Sequence, residues 1–455
     1  MPIEIKSLRV LVVRLGAMGD ILHALPAVTA LRAAHPEWLI GWAVEPHWAP
    51  LLVSRSAGDF PGGMGGGAHL VPAHADGSTA VMNGAPEVGQ AVEEFMYSER
   101  NIGRQDSEMP VVDRVHLVGA RGWGRAPFSR GTWTDIARVR GELRSARYDV
   151  CVDLQGAVRS AVVGRWAGAA RMIGEDDPRE GAARWFFGER VKTAGTHVIE
   201  QCLEVAGAVD GEVLPFVAAE LPRDSVAEAW CERWLRERFV GLPFVMLNPG
   251  AGWGAKRWPS ERYGRVAAGL AAMGCGVVVN AGPGESDLAS AVIAASVATV
   301  RDAAPVFAVS PGLAELISLS RRASLVVAGD TGPLHLANAL GRPVVGIFGP
   351  TDPARNGPFG AGSGARPEEQ FRVLRHPESR RDHSRKSDPE TGLLTISVED
   401  VMGAAKELLA GSLSGRSDEA RPEAGAAGWE DEAGDNDGST AVKGARGAAD
   451  LPGFN

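Results

Sequence analysis

The chain of 455 residues is long enough for two or three domains, and a hydrophobic content of 45% allows each to bury a core. A formal charge of −9 and the lack of zinc-finger spacing exclude the basic surface typical of nucleic-acid binders. Four dispersed cysteines without a C-x-x-C pair predict neither disulfides nor a metal site, and no apolar run approaches the roughly 18 residues of a membrane span.

The chain begins with the pattern of a parallel α/β fold. Residues 9–15 form a valine-rich run without alternation, which predicts a strand covered on both faces. A glycine-rich turn follows, and apolar residues then recur at helical spacing from Leu22 to Leu31. Pro26 predicts a break between a first turn and the main helix. Strand, loop and helix in this order open a βαβ unit.

Composition divides the rest of the chain. Residues 58–110 are rich in Gly, Ala, Ser and Pro, which predicts a disordered insertion. Residues 411–455 hold nine acidic and four basic residues with little apolar content, which predicts a disordered acidic tail. We predict an N-terminal Rossmann-like domain over residues 1–220 and a C-terminal Rossmann-like domain over residues 221–410.

The second half repeats the strand-then-turn pattern. Ser225 and Glu228 have the spacing of a capping box at the start of a helix that joins the halves. Four β-rich runs then each precede a Gly/Pro turn, in FVMLNPGAG, GCGVVVNAGPGE, ASLVVAGDTGP and RPVVGIFGP. Helical segments separate these runs, so they predict a second doubly wound parallel sheet.

The segment GDTGPLHLANALG offers a site for phosphate. Asp330 and a Thr-Gly turn follow a predicted strand, and Pro333 takes a position in the first turn of a helix. Free N–H groups from Thr331 onward and the positive helix end would face a diphosphate, with His335 one turn inside. The alternatives are a capped helix with Asp330 or Thr331 as N-cap and a packed His335.

Two further turns carry charged residues. NPGAGWGAKRWP places Lys256 after three glycines, so that backbone and ammonium could approach phosphate together, although the P-loop pattern is absent. The alternative is a solvated Lys256 and Arg257. AGPGESD places Glu285 where its carboxylate could accept hydrogen bonds from ribose hydroxyls, or where the helix dipole favours it.

Asp20 is the candidate general base of the first half. It lies in RLGAMGDILHALPA, after the first strand, and the spacing there is not the G-x-G-x-x-G of dinucleotide oxidoreductases. Asp20 could cap the helix, or it could take the proton of an attacking sugar hydroxyl. One base suffices when the leaving group is a phosphate ester, whereas a glycosidase needs two carboxylates.

In this order RLGAMGDILHALPA, DLQGAVRSAVVG, NPGAGWGAKRWP, GPGE and GDTGPLHLANALGRPVVGIFGPTDP resemble glycosyltransferase family 9, the heptosyltransferases, and most closely the heptosyltransferase I type. The resemblance covers about residues 9–409. It implies a GT-B fold, in which two Rossmann-like doubly wound parallel-sheet domains face each other across a cleft. It also implies inverting transfer of heptose from ADP-heptose to a lipid-linked lipopolysaccharide core acceptor, with no cofactor or metal required.

The resemblance also implies roles for individual residues. Asp20 resembles the catalytic base, Lys256 the phosphate ligand and Glu285 the contact to the adenosine ribose. Asp330, Thr331, Gly332 and His335 resemble the donor-binding turn, with Asp330 near the heptose. Further candidates are Pro333 and Gly252 for the donor, and Gly19 and, from its position in DLQGAVRS, Arg159 for the acceptor. Ala251 and Gly252 stand where related enzymes carry hydroxyl residues, so phosphate contacts there would come from backbone N–H groups.

Alternatives remain open at this stage. The same fold could use another nucleotide sugar, or the chain could bind a nucleotide sugar or a lipid without turnover. An NAD oxidoreductase is disfavoured by the missing fingerprint. We expect a cytoplasmic monomer, either free or peripheral at the inner membrane. The arginine-rich residues 366–390 predict a solvated surface loop, with contact to an anionic glycolipid or membrane surface as the alternative.

Overall fold

The computed structural model describes residues 7–54, 111–297, 303–360, 366–380 and 387–419. The first half forms one parallel sheet in the order β3-β2-β1-β4-β5-β6. Its strands are β1 Arg9–Val13, β2 Leu39–Val44, β3 Arg114–Leu117, β4 Val150–Asp153, β5 Arg171–Glu175 and β6 Glu189–Val191. This is the Rossmann strand order 3-2-1-4-5-6, and β1 is buried as the valine-rich run predicts.

The second half repeats this topology. Its parallel sheet has the order β12-β11-β10-β7-β8-β9, which is the same Rossmann order counted from β7. The strands are β7 Phe244–Asn248, β8 Gly276–Asn280, β9 Val306–Val309, β10 Leu325–Gly329, β11 Val344–Phe348 and β12 Phe371–Arg375. The four predicted runs correspond to β7, β8, β10 and β11, and the predicted doubly wound fold of both halves is confirmed.

Helices cover the faces of both sheets. In the first half they are Met18–Ala34, Ala120–Arg125, Arg130–Ser145, Val158–Trp166 and Val198–Gly207, with 3-10 turns at Pro46–Leu51 and Gly181–Phe186. In the second half they are Ser225–Arg238, Ser260–Ala272, Ser286–Val297, Leu313–Arg322, Gly332–Ala339, Pro353–Asn356, Pro367–Gln370, Thr391–Thr395 and Val398–Glu419, with a 3-10 turn at Gly254–Lys256. We call Met18–Ala34 the opening helix and Gly332–Ala339 the donor helix.

One apolar core joins the two halves. It contains Val12 of β1 and Leu25 of the opening helix together with Val326 of β10 and Leu334 of the donor helix. Two further clusters cover the outer face of each sheet. The described residues as far as Ser414 accordingly form one compact unit. The predicted boundary between residues 220 and 221 stays a prediction, because the core is continuous across it.

The opening helix is not broken at Pro26. It runs without interruption from Met18 to Ala34, so the predicted separation of a first turn is wrong. A proline inside a helix costs about 3 kcal/mol. The helix is buried from Ile21 to Arg32, and this apolar burial on several sides offsets the lost backbone hydrogen bond.

The helix Ser225–Arg238 is capped by Asp224 and not by Ser225. The Asp224 carboxylate accepts a hydrogen bond from the Ala227 N–H at 2.9 Å. Glu228, the expected partner in a capping box, instead binds Arg322 and Arg321 of the neighbouring helix. An acidic side chain one position earlier satisfies the same free N–H groups, and spacing alone does not distinguish the two.

Residues 366–390 are not a simple solvated loop. Pro367–Gln370 is a helical turn, and β12 pairs in parallel with β11 at the edge of the second sheet. Two of the arginines are bound locally, since Arg372 pairs with Glu407 and Arg375 donates to the Gly349 carbonyl at 3.2 Å. Residues 381–386 lie outside the described residues.

The last helix, Val398–Glu419, extends beyond the predicted end of the ordered chain. Ser397 and Asp400 form the predicted reciprocal cap, and the helix extends to Glu419 rather than stopping near residue 410. The rest of the predicted tail and the predicted insertion at 58–110 lie outside the described residues. Within the described ranges, no helix combines the length and apolar character needed to cross a bilayer.

The cap provides a direct test of the fold. Asp224→Ala should lower the free energy of unfolding by about 1 kcal/mol, because it removes the acceptor for a first-turn N–H. Ser225→Ala, the matched control at the predicted cap, should change it by only a few tenths. Urea unfolding followed by circular dichroism measures both. Equal losses in the two variants would contradict the assignment of Asp224.

Candidate active site

A lysine and an aspartate pair at the carboxyl edge of the second sheet. Asp330 directly follows β10, and Lys256 ends a 3-10 turn in the loop after β7. The Lys256 ammonium contacts the Asp330 carboxylate, and the two side chains are only 11% and 7% exposed. The ammonium also lies 4.3 Å from the centre of the Trp253 ring. Both charges are thus largely removed from water, where neither can be left without its partner.

Asp330 is held in its ionised form. Burial would raise the pKa of its carboxyl group, but the hydrogen bond from His335 and the charge of Lys256 outweigh burial and hold this pKa well below its usual value. His335 Nε2 lies 3.1 Å from Asp330 Oδ1. A carboxylate only accepts hydrogen bonds, so His335 Nε2 carries the donated proton.

A second histidine extends this cluster into the first half. His335 Nδ1 lies 3.2 Å from Nε2 of His23, a buried residue of the opening helix. Because His335 Nε2 donates to Asp330, its Nδ1 accepts from His23. A continuous polar chain therefore runs from Lys256 through Asp330 and His335 to His23. Only the first three were candidates from the sequence, since His23 shares an apolar helix pattern with core residues.

His197 forms another contact between the halves. Its Nδ1 accepts from the Ile199 N–H at 3.1 Å, and its Nε2 donates to the Gly357 carbonyl at 3.0 Å. The ring stacks on Phe359 with centroids 4.5 Å apart. Burial lowers the pKa of His197 to about 4, although the Gly357 carbonyl opposes this shift. Burial and the neighbouring histidines also lower the pKa of His23 well below its ordinary value.

Two buried asparagines support the turn at Thr331. Asn280 Nδ2 donates to Asn248 Oδ1 at 2.7 Å, and Asn248 Nδ2 lies 3.3 Å from Thr331 Oγ1. These residues end β8 and β7, one strand position from the Gly/Pro turns. Neither asparagine was predicted as a site residue, although a polar residue that ends a buried valine-rich strand is a usable signal.

Glu285 lies between the turns that follow β7 and β8. Its Oε2 accepts from the Gly282 N–H at 2.9 Å. A Cβ at Gly250 would lie 2.1 Å from the same oxygen, so only glycine leaves room for this carboxylate. The helix Ser286–Val297 begins at the next residue, as the alternative reading requires. Contact with a ribose stays a prediction.

The donor helix begins where the sequence predicts. Thr331 is its N-cap residue and Pro333 lies in the first turn, which confirms these two positions. The Thr331 hydroxyl makes no capping bond, and it donates instead to the Gly329 carbonyl at 3.2 Å. The helix end thus keeps its positive partial charge available beside Lys256.

Asp20 lies in the first turn of the opening helix and not in the preceding loop. Its Oδ2 accepts from the Ala17 N–H at 3.0 Å, which places Asp20 at the third helical position. Arg14 Nη2 lies 3.1 Å from its Oδ1, and Arg179 Nη1 lies 3.8 Å from its Oδ2. The Asp20 side chain is 32% exposed, whereas that of Arg14 is 8% exposed. Asp20 is therefore paired with a buried cation and remains partly exposed to solvent.

Two glycines bring the opening helix and the donor helix into contact. A Cβ at Gly19 would lie 2.9 Å from His335 Cδ2, and a Cβ at Gly332 would lie 2.5 Å from Met18 Sδ. Close packing between the halves thus accounts for both glycines, which the sequence predicts in acceptor and donor binding. Because Gly19 packs against His335, Asp20, the next residue, is held close to this contact between the helices.

Gly252 and Arg159 contribute less to the geometry of the site than the other candidate residues do. Gly252 is exposed in the loop before Lys256, and a Cβ there would meet no atom within 4 Å, so glycine is not sterically required. Arg159 is exposed at the start of the helix Val158–Trp166. Among the residues that the structure describes, no cluster of three or more His, Cys, Asp or Glu side chains is arranged to hold a metal ion.

The fold and the site together define a class of protein. Two sheets of Rossmann order share one core, and the helix that carries Asp20 packs directly against the helix that follows Asp330, the partner of Lys256. This is the GT-B architecture of glycosyltransferases. Ligands of open α/β sheets bind at such edges.

Comparison with known proteins agrees with this class. The model of glycosyltransferase family 9 (heptosyltransferase) matches residues 136–368, just over half of the chain. Lipopolysaccharide heptosyltransferase 1 of Pseudomonas aeruginosa is 25% identical over 363 residues, which cover 78% of this chain and 82% of that protein.

Solved structures share the fold. E. coli heptosyltransferase WaaC with ADP has a TM-score of 0.61 at 23% identity, and the match covers 88% of this chain and 100% of the WaaC chain. WaaC with ADP-2-deoxy-2-fluoro heptose has a TM-score of 0.60 at 22% identity, over 88% and 99% of the two chains. The chain belongs to glycosyltransferase family 9 (heptosyltransferase).

The buried ion pair should be visible in stability. Lys256→Met should lower the free energy of unfolding by about 3 kcal/mol, because it leaves the Asp330 charge buried without its cation. Adding Asp330→Asn should restore most of this loss. The exposed Lys406→Met is the matched control and should leave the midpoint of urea unfolding unchanged. A double variant no more stable than Lys256→Met alone would contradict the pairing.

The low pKa of His197 should make the fold sensitive to acid. Between pH 6.5 and about 4, His197 is protonated in the unfolded chain but stays neutral in the folded chain. The free energy of unfolding should therefore fall as pH falls. The loss is at most about 1.4 kcal/mol per pH unit for each such group. His197→Gln should flatten the decline in urea midpoint between pH 7 and 5.

Asp153 provides a control of opposite sign. Burial raises the pKa of Asp153 to about 6, so its folded carboxyl group keeps a proton that the unfolded chain loses above about pH 4. This group stabilises the fold as pH falls through 6. Asp153→Asn should therefore steepen the decline. A decline that is unchanged in both variants would contradict these assignments.

Proposed function

We propose that this chain transfers heptose from ADP-heptose to a lipid-linked lipopolysaccharide core acceptor, with inversion at the anomeric carbon. The observation that carries the proposal is the close contact of the opening helix, which carries Asp20, with the donor helix and with His335, which binds the Asp330 partner of Lys256. The names of the relatives supply the donor and acceptor classes. Asp20 supplies a base, and the second half supplies a site for a pyrophosphate.

The pyrophosphate of the donor would bind beside Lys256. The ammonium group and the N-terminal end of the donor helix lie on one side of the cleft, and both favour negative charge. Asp330 would hold Lys256 in place, and the cation would shield Asp330 from the phosphates. Backbone N–H groups of the loop at Gly252 would replace the hydroxyl contacts that this chain lacks. Glu285 would accept from the ribose hydroxyls.

Asp20 would act as the general base. It would take the proton of the acceptor hydroxyl, whose oxygen then forms a bond to the anomeric carbon as the bond to the phosphate oxygen breaks. ADP leaves with that electron pair, and Lys256 and the helix end stabilise its charge. Arg14, which is buried behind Asp20, would keep the carboxylate aimed at the hydroxyl. No metal ion enters this scheme.

The acceptor would approach from the first half. Arg179 lies 3.8 Å from Asp20 and is 66% exposed, so it is available to an anionic group of the acceptor. Arg159 is exposed on the helix Val158–Trp166 and could also bind an anionic group of the acceptor. A lipid-linked acceptor puts the reaction at a membrane surface, where we propose that the chain works from the cytoplasmic side as a monomer.

Replacement of Asp20 tests the mechanism. Asp20→Asn should lower kcat by 10²–10⁴-fold, a typical loss for a general base, with little change in donor affinity. Glu261→Gln is the matched control, since Glu261 is an acid in the first turn of the helix Ser260–Ala272. The assay follows ADP release from ADP-heptose with a lipopolysaccharide core acceptor. Near wild-type kcat in a folded Asp20→Asn protein would remove Asp20 from the reaction.

Donor titration separates the proposal from its alternatives. ADP-heptose should bind and turn over, whereas UDP- and GDP-sugars should do so much less efficiently as judged by kcat/KM. Preference for another nucleotide sugar would keep the fold and the base but overturn the donor. Binding of ADP-heptose without ADP release, in the presence of acceptor, would favour a nonenzymatic binding protein.

A further inference from the structure

Three aromatic side chains of the first half are largely exposed. Phe128 is 93% exposed, Trp185 is 84% exposed and Trp133 is 61% exposed. Single exposed apolar residues need no explanation, but these lie in adjoining elements. Trp133 lies in the helix Arg130–Ser145, and Trp185 lies in the 3-10 turn Gly181–Phe186. Both elements pack against the helix Val158–Trp166. Trp133 and Trp185 are therefore carried by elements that adjoin one helix, and Phe128 lies directly before the first of these elements.

Local helix stability does not account for these rings. Ser129 caps the helix Arg130–Ser145 by accepting from the Thr132 N–H at 3.0 Å. Phe128 and Trp133 then occupy the two positions of a hydrophobic staple, which normally pack on each other. A ring that is 93% exposed is not covered by its staple partner. Both rings remain available to an external surface.

The segment that carries Phe128 and Trp133 is basic, and Asp135, the first acidic residue after it, pairs with Arg138. Residues 120–134 contain Arg121, Arg125 and Arg130 and no acidic residue, in a chain whose overall charge is −9. All three arginines are exposed. Arginines interleaved with exposed aromatic rings are the combination that binds at the interface of an anionic bilayer, where rings enter the headgroup region and guanidinium groups contact phosphates.

The same segment adjoins the candidate catalytic loop. The Arg121 N–H donates to Glu45 Oε1 at 3.0 Å, and the Glu45 N–H donates to the Leu15 carbonyl at 3.0 Å. Leu15 lies in the loop between β1 and the opening helix, five residues before Asp20. A surface that docks on residues 120–133 would therefore lie beside the edge of the sheet that carries the base.

We propose that residues 120–133 form a docking surface for an anionic lipid bilayer, with Phe128 and Trp133 entering the interface and Arg125 and Arg130 contacting lipid phosphates. This inference deepens the proposed function and rests on it in one respect, since a lipid-linked acceptor must be reached in its membrane. Charge complementarity selects an anionic bilayer over a neutral one. The proposed surface differs from the arginine-rich residues 366–390, in which Arg372 and Arg375 are bound to neighbouring groups of the protein.

Vesicle binding tests the surface without the reaction. The full chain is mixed with sucrose-loaded vesicles of phosphatidylcholine alone or with 40% phosphatidylglycerol, at about 50 mM and about 500 mM salt, and the bound fraction is measured by sedimentation. The chain should bind the anionic vesicles at low salt and should be released at high salt. Equal binding to neutral and anionic vesicles, or no binding to either, would overturn the proposal.

Paired variants locate the contact. Arg125→Glu with Arg130→Glu should lower the partition coefficient by at least about 25-fold, at roughly fivefold for each arginine lost. Arg233→Glu with Arg265→Glu, two exposed arginines of the second half, makes the same change in charge and should have a much smaller effect. Equal losses in the two pairs would show attraction by net charge alone and would contradict a defined surface.

The aromatic contribution has its own control. Phe128→Ser with Trp133→Ser should lower partitioning by about 10-fold or more, because two rings no longer enter the interface. Val213→Ser with Val240→Ser removes two side chains that are 95% and 81% exposed elsewhere and should leave binding unchanged. Unchanged binding of the aromatic variant would remove Phe128 and Trp133 from the surface.

Activity measurements distinguish this inference from the proposed function. With a water-soluble, delipidated acceptor both surface variants should keep wild-type kcat/KM, whereas with the lipid-linked acceptor in anionic vesicles they should lose about 10-fold or more. If the wild-type chain binds vesicles but transfers no heptose, the proposed function fails and the surface stands. If transfer to both acceptors is equal in wild type and variants, the surface has no role in reaching the acceptor.

Discussion

The structure depends on a buried polar chain that joins its two halves. Lys256 contacts Asp330, Asp330 accepts from His335, and His335 accepts from His23 of the opening helix. Each group would be costly to bury alone, so each specifies the position of the next. The apolar core around these polar groups is continuous between the halves. Gly19 has no side chain, and a larger residue there would force the two helices apart. The relative position of base and phosphate site follows from these contacts.

Much of the fold could be predicted because its signals are local. Valine-rich runs before Gly/Pro turns identified β1, β7, β8, β10 and β11, since a strand buried on both faces must be apolar throughout. Prediction failed where tertiary contacts outweigh local preference. Pro26 is tolerated because the helix is buried around it, and β12 lies at a sheet edge with too little apolar character to be distinguished from a loop.

The candidate site was predictable by residue but not by contact. Motifs singled out Lys256, Asp330, His335 and Asp20, yet sequence spacing gave no reason to pair the first two, which lie 74 residues apart. His23 was missed because it lies among apolar helix positions, and its polar partner is 312 residues away. Glycines were the least specific signal, since Gly19 and Gly332 act through packing that only the folded chain reveals.

The account is tested most directly by a crystal structure of the chain with ADP-heptose bound. We expect a pyrophosphate oxygen about 2.7–2.9 Å from Lys256 Nζ, with the N-terminal end of the donor helix beside it. The anomeric carbon should face the Asp20 carboxylate, with room between them for one hydroxyl group. A diphosphate bound away from Lys256, or an Asp20 carboxylate turned from the sugar, would contradict the account.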